Sequence, residues 1–133
     1  MDAERMTVAQ ACLKAAHDGS LSFPEIVGRL IAAGFEGYAV DYRAHTQTYY
    51  LPDADSITLD SPAAVEAIAA TFDATEIKRL IVWAQANPSD YSYVTFSQRA
   101  MGAGCAGYLV SFSGRRVLYY GRTAETHVEV FPS

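Results

Sequence analysis

The chain has 133 residues, half of them apolar, with a formal net charge of −5 and a pI near 5.0. This length suits one folded domain, and the acidic balance argues against nucleic-acid and anionic-membrane partners. No apolar run is long enough to cross a bilayer and the N-terminus has no signal-peptide pattern, so we expect no membrane partner. Two cysteines are too few for a disulfide framework, which favours a cytoplasmic protein.

The first segments of the chain predict two helices. Apolar residues at helical spacing predict a helix over residues 4–17, and Gly19 is placed to end it in a left-handed cap. The run from Ser22 to Glu25 has the pattern of a capping box, with a proline where the first turn needs no hydrogen bond. A second helix should therefore start there and stop at Gly34.

After Gly34 the pattern changes to the alternation typical of strands. Residues 38–42 and 48–51 predict a β-hairpin, and Ile57 with Leu59 predicts a short third strand. Residues 61–72 carry a serine, a proline and an apolar stripe, which predict a helix.

The second half repeats this order. Asp73 and Glu76 form a cap pair for a helix that runs to Asn87, and a short helix begins near Thr95. Strands follow at residues 108–112, 117–120 and 126–130.

The sequence matches itself without a gap when it is shifted so that Gly34 lies over Gly104, and we call this shift the repeat offset. The matched positions include two glycine pairs, several tyrosine pairs and an arginine pair: Gly34/Gly104, Gly37/Gly107, Tyr38/Tyr108, Tyr49/Tyr119, Tyr50/Tyr120 and Arg29/Arg99. We therefore predict a single α+β domain over residues 1–133, made of two repeats at about 6–60 and 76–130 joined by the helix at 61–72. Each repeat is an ααβββ unit, related to the other by a pseudo-two-fold axis, in a mainly antiparallel sheet with helices packed on one face.

The repeat weakens at the third strand. At the repeat offset, the apolar Ile57 and Leu59 correspond to the polar His127 and Glu129. The apolar residues of this strand are instead Val128 and Val130. A one-residue slip exchanges the two faces of a strand, so we expect a bulge or insertion before this strand, or a different placement of it, with both valines facing inward.

Seven of the nine tyrosines fall in the paired strands: Tyr38, Tyr42, Tyr49, Tyr50, Tyr108, Tyr119 and Tyr120. Adjacent tyrosines point to opposite faces of a strand, so each Tyr-Tyr pair sends one ring to the core and one away from it. An array of exposed rings near Arg115 would suit an aromatic ligand or a protein partner. The alternative is that tyrosine simply favours strands and packs along them.

A second candidate site is the run of Glu125, His127 and Glu129, whose side chains share one face of an extended strand. An imidazole between two carboxylates can bind a divalent metal or act as a base. The alternative is a solvated strand face. No other catalytic or cofactor motif occurs, so we expect no cofactor.

The segments Phe23-Pro24-Glu25-Ile26-Val27, Ala33-Gly34 and Tyr38-x-Val40-Asp41-Tyr42 lead up to Thr48-Tyr49-Tyr50. This run resembles a family of short bacterial and prophage-encoded proteins labelled phage-envelope-protein-like. The similarity extends over most of the chain, and the family brings no catalytic residues to it.

These observations favour a non-enzymatic module that binds a small molecule or a protein. Its site would be the seam between the repeats or the tyrosine-rich face of the sheet. The alternative is a small metal-dependent or hydrolytic enzyme built on Glu125, His127 and Glu129. A homodimer with the tyrosine face as its interface is a third possibility.

Overall fold

The structure is a computed structural model that describes residues 1–62 and 66–132. Its elements follow one another as α1 (Ala3–Asp18), α2 (Phe23–Ala32), β1 (Gly37–Asp41), β2 (Thr46–Tyr50), β3 (Ser56–Asp60), α3 (Ala74–Ala86), α4 (Tyr93–Gly102), β4 (Cys105–Ser111), β5 (Arg116–Gly121) and β6 (Thr126–Val130).

The predicted caps define the helix ends. Gly19 ends α1 with a φ of 75°, a left-handed conformation that glycine adopts without strain. The capping box at the start of α2 is complete, because the Ser22 hydroxyl accepts from the Glu25 N–H while the Glu25 carboxylate accepts from the Ser22 N–H. Asp73 and Ser92 accept from backbone N–H groups in the same way at the starts of α3 and α4.

The six strands form one antiparallel sheet in the order β3-β2-β1-β4-β5-β6. Alternate strand residues are buried with residues of all four helices in one core, which places the helices on one face. The predicted α+β class and the antiparallel sheet with one helix-covered face are confirmed.

The two halves of the chain have matching elements at the repeat offset. α2 and α4 have the same bounds after this shift, and so do β3 and β6. The hairpin registers also match, because Tyr38 pairs with Tyr49 and Tyr108 pairs with Tyr119. That these units arose by duplication stays a prediction.

The halves meet where β1 pairs with β4. Ala39 pairs with Leu109, which is its own counterpart in the second half, while Tyr38 pairs with Val110 and Val40 with Tyr108. This crossed pairing is what a two-fold axis perpendicular to the sheet would produce at the Ala39–Leu109 pair.

The connecting segment differs from the prediction. Residues 63–65 of the predicted helix at 61–72 lie outside the described residues, and residues 61–62 and 66–72 are not helical. The backbone N–H of Ala69 donates to the carbonyl of Met101, and that of Asp73 donates to Ala103. The end of this segment therefore lies against the C-terminal end of α4, and these two N–H groups are satisfied there instead of within a helix.

The third strands also differ from the prediction. β2 pairs with β3 and β5 pairs with β6 in the same register, without a bulge or insertion between them. His127 and Glu129 consequently occupy the helix-facing positions of Ile57 and Leu59. The expectation that Val128 and Val130 face inward was wrong, since both are exposed.

Candidate functional site

Five of the seven predicted tyrosines lie in the core. Tyr38, Tyr42, Tyr49, Tyr108 and Tyr119 are all buried beneath the helices. Their rings form matched pairs, with centroids 5.4 Å apart in one hairpin and 5.3 Å apart in the other. They cannot form the expected exposed array, because strand alternation places them all on the helix-covered side. Only the second ring of each Tyr-Tyr pair, Tyr50 or Tyr120, lies on the other side.

Several of the buried tyrosine hydroxyls form hydrogen bonds with neighbouring side chains. Tyr42 donates to Ser97 over 3.1 Å, and Tyr49 donates to Gln47 over 2.9 Å. The hydroxyls of Tyr93 and Tyr108 are 2.7 Å apart. Burial raises the pKa of Tyr42 and Tyr108 well above its ordinary value, because the phenolate would have to leave water. These phenols are neutral structural groups.

The seam between the halves has little room for a ligand on its helix-covered side. A cavity of about 20 Å³ lies among His17, Tyr42, Gln47, Tyr93 and their neighbours, which is the space of about one water molecule. His17 Nδ1 lies 3.0 Å from the Leu13 carbonyl. Its Nε2 is buried without a hydrogen-bond partner among the described residues.

A wider groove of about 460 Å³ lies between α1 and the end of β3. Leu13 and His17 line one wall, and Leu59 and Pro62 line the other. The groove is shallow and open to solvent.

Of the predicted metal ligands, Glu129 is paired with a lysine and with His127. Glu129 is 15% exposed and binds Lys78 of α3 at 2.5 Å. His127 Nε2 lies 3.2 Å from the same carboxylate. Burial works against the charged form, but the hydrogen bonds and charges of Lys78 and His127 outweigh it and lower the pKa of Glu129. A cation on α3 thus already neutralises the carboxylate nearest His127.

Glu125 precedes β6 and is exposed. Within residues 1–62 and 66–132, no group of three His, Cys, Asp or Glu side chains is arranged to hold a metal ion.

The free cysteines are also inert. Cys12 and Cys105 are both buried, and burial raises the pKa of Cys105 to about 11. Its thiol donates to the Gly107 carbonyl over 3.3 Å.

Arg115 contacts Phe131, the residue that follows β6. Its guanidinium lies over the Phe131 ring at 6.0 Å, and its backbone carbonyl accepts from the Phe131 N–H. This predicted site residue is exposed, but it lies in the β4–β5 turn beyond the sheet face.

The face of the sheet opposite the helices is the remaining candidate, and we call it the open face. A row of directly paired residues crosses its middle from β3 to β6: Thr58, Thr48, Ala39, Leu109, Leu118 and Val128. The row changes from polar to apolar at its centre. Leu109 and Val128 are 44% and 43% exposed, and the neighbouring Val130 is 59% exposed.

Two partly exposed tyrosines flank the row. Tyr50 pairs with Gly37, and Tyr120 pairs with Gly107. A Cβ at Gly107 would collide with the Tyr120 hydroxyl and with the Val40 carbonyl, so the Tyr120 ring lies across the glycine. Burial, followed by the nearby Asp41 carboxylate, raises the pKa of Tyr120.

The sequence analysis missed the apolar part of this face. Leu109 and Leu118 alternate with buried residues of β4 and β5, so a period of two already placed them together on one side. That pattern could have found the patch, but it does not tell which side the helices cover.

Within the described ranges no helix has the length and apolar character needed to cross a bilayer. No protein-family model matches this chain, and a search of curated proteins found no match. The resemblance to the phage-envelope-protein-like family stays a prediction.

Proposed function

We propose that this chain is a non-enzymatic protein-binding module whose binding surface is the open face. The observation that carries the proposal is the contiguous patch of Leu109, Leu118, Val128 and Val130 on a side that no described helix covers. Monomeric proteins rarely expose large contiguous apolar patches, and such patches typically mark contact surfaces.

The shape of the face favours a protein over a small molecule. A small ligand needs a concave site that encloses most of its surface, whereas the open face is one side of a sheet, with short side chains such as Thr48 and Ala39 in its middle row. The charged residues Asp41 and Arg116 flank the apolar patch, and a polar rim around an apolar centre is the usual anatomy of a protein interface.

The state of the other candidate residues supports a non-enzymatic role. Glu129 is paired with Lys78, and the buried tyrosines and cysteines have raised pKa values that keep them protonated. A tyrosine or cysteine that acts as a nucleophile needs a lowered pKa, and a carboxylate that acts as a base must be free to accept a proton.

Site-specific photo-crosslinking tests this proposal. A benzophenone amino acid replaces Leu118 on the open face or, as a control, the exposed Val82 on α3. Irradiation in the cells that produce the protein should give a discrete protein adduct from position 118 and none from position 82. No adduct from position 118, or equal adducts from both positions, would contradict the proposal.

A further inference from the structure

We infer that the partner of the open face is a second copy of this chain, in a face-to-face dimer whose two-fold axis lies parallel to the sheet and passes at Leu109. This inference rests on the proposed function. It is supported by the placement of charge around the apolar patch.

The charges are placed so that two copies complement each other. Counted from Leu109, Arg116 lies one strand away toward β6 and two residues along, beside Ser111. Asp41 lies one strand away toward β3 and two residues along in the opposite direction, beside Gly107. Leu109 is therefore the midpoint between them. A two-fold axis at Leu109, perpendicular to the line joining them, places Arg116 of each copy over Asp41 of the other.

Local hydrogen bonds fix the orientation of both charged side chains. The Arg116 Nε donates to the Gly114 carbonyl over 3.0 Å, which orients the exposed guanidinium. Asp41 Oδ1 accepts from the backbone N–H groups of Arg43 and Ala44. Its Oδ2 has no hydrogen-bond partner among the described residues and can accept from a guanidinium.

Pairing Arg116 with Asp60, the other carboxylate of the open face, would give a less suitable axis. Asp60 lies on β3, so the midpoint between Asp60 and Arg116 is Ala39. An axis there would centre the interface on the half that contains Thr48 and Thr58, away from the apolar patch. The axis at Leu109 keeps exposed apolar side chains at the centre and charges at the rim.

The overlapping area fits a weak dimer. Six strands of five residues span roughly 29 Å by 17 Å, but the long directions of the two sheets cross at a steep angle about this axis, so the faces overlap over roughly 300 Å² on each copy. Two copies would bury on the order of 600 Å², which is below the range of stable specific interfaces. We therefore expect a weak dimer that forms only at high protein concentration.

Sedimentation equilibrium over a concentration series tests self-association. Wild type should shift between 14.4 kDa and twice that mass. Leu109→Lys should weaken the dimer by at least about tenfold, whereas Val82→Lys on the helix side should not. Because Leu109 is exposed, the variant should keep the wild-type circular dichroism spectrum. A wild type that is monomeric at every concentration, or equal effects of both variants, would overturn the inference.

The position of the axis has its own test. In Leu109→Cys, the two introduced thiols face each other across the axis, so a short bismaleimide should join two chains. In Val82→Cys it should not. The native Cys12 and Cys105 are buried and do not compete. A charge exchange completes the test, since Arg116→Asp should weaken the dimer and Arg116→Asp with Asp41→Arg should restore it.

The outcomes separate this inference from the proposed function. A photo-adduct at position 118 whose mass differs from that of two chains, together with a monomeric pure protein, would overturn the dimer and leave a binding surface for another protein. Failure to form any adduct would overturn both.

Discussion

At the scale of single residues, the Tyr93 hydroxyl links the hydrogen bonds of Gln47 in the first half of the chain to those of Tyr108 in the second half. It accepts from Gln47 Nε2 over 3.3 Å and contacts the Tyr108 hydroxyl. Tyr93→Phe removes a hydrogen-bond partner from both groups, so we expect a loss of about 1–3 kcal/mol in the free energy of unfolding. Urea denaturation measures it.

Tyr91→Phe is the matched control for this substitution. The Tyr91 ring packs against Trp83, and its hydroxyl makes no hydrogen bond with the described residues. Its removal should change the free energy of unfolding by less than about 0.5 kcal/mol. Equal losses from both variants would mean that the buried network contributes no more to stability than an isolated hydroxyl.

The buried phenols also predict a limit of stability at high pH. Burial raises the pKa of Tyr38, Tyr42 and Tyr108 above that of an unfolded tyrosine, which is about 10. Their contribution is fully present below about pH 10 and decreases as the pH rises further, because only the unfolded chain releases these protons. Tyrosinate absorbance should therefore rise together with the loss of circular dichroism. Complete tyrosine ionisation in a folded protein would contradict this.

At the scale of elements, Lys78 and Glu129 connect α3 to the edge strand β6. Lys78 is 52% exposed, so water screens the pair, and we expect Lys78→Met to lower the free energy of unfolding by about 0.5–1 kcal/mol at neutral pH. Arg79→Met is the control, because Arg79 pairs within α3 with Glu76 and should matter less.

The pH dependence of this pair has a definite sign. The native pKa of Glu129 is lowered, so its contribution is present above the ordinary glutamate pKa of about 4.3 and is lost as the pH falls through the lower native value. The difference between wild type and Lys78→Met should therefore vanish in acid. A difference that persists at pH 2 would show that Lys78 stabilises the fold through packing of its alkyl chain.

Elements with local signals were predictable, and those without them were not. The cap pairs Ser22–Glu25 and Asp73–Glu76 involve residues close in sequence, and they located helix starts correctly. The segment at 66–72 has a helical pattern, but the Ala69 N–H donates to the distant Met101 carbonyl, a contact that no local pattern reveals.

β6 shows a second limit of the sequence. Apolar Val128 and Val130 suggested the inward face, yet strand pairing with β5 placed Glu129 inward, where Lys78 pairs with it. Pairing register and an ion-pair partner on another element overrode the hydrophobic pattern.

At the scale of the whole molecule, the contact between β1 and β4 leaves no room for side chains at two equivalent glycines. A Cβ at Gly37 would collide with the Val110 carbonyl, and one at Gly107 would collide with the carbonyl of Val40, the counterpart of Val110 at the repeat offset. Gly37→Ala and Gly107→Ala should each lower the free energy of unfolding by about 2 kcal/mol or more. Thermal unfolding of both variants checks this.

Gly28 on α2 is the control for the glycine variants. A Cβ there meets nothing within 4 Å, so Gly28→Ala should stabilise the protein by about 0.5–1 kcal/mol. A tolerated Gly37→Ala with a damaging Gly107→Ala would show that the two halves are not equivalent at their contact, and would count against the duplication we predict.

The candidate site itself was only partly predictable. Alternation places Tyr50 and Tyr120 with Leu109 and Leu118 on one side of the sheet, but it treats both sides alike. Which side the helices cover follows from the packing of the whole chain. The tyrosines of the covered side are therefore buried, and the predicted exposed array is reduced to Tyr50 and Tyr120.

Methyl NMR over a dilution series tests most directly whether the open face is the binding surface and a second copy its partner. The methyl signals of Leu109, Leu118 and Val128 should move together as the concentration changes, while those of Val82 and Ile31, exposed on the helix side, should stay fixed. Signals that move on the helix side alone, or open-face signals that never move, would contradict the account.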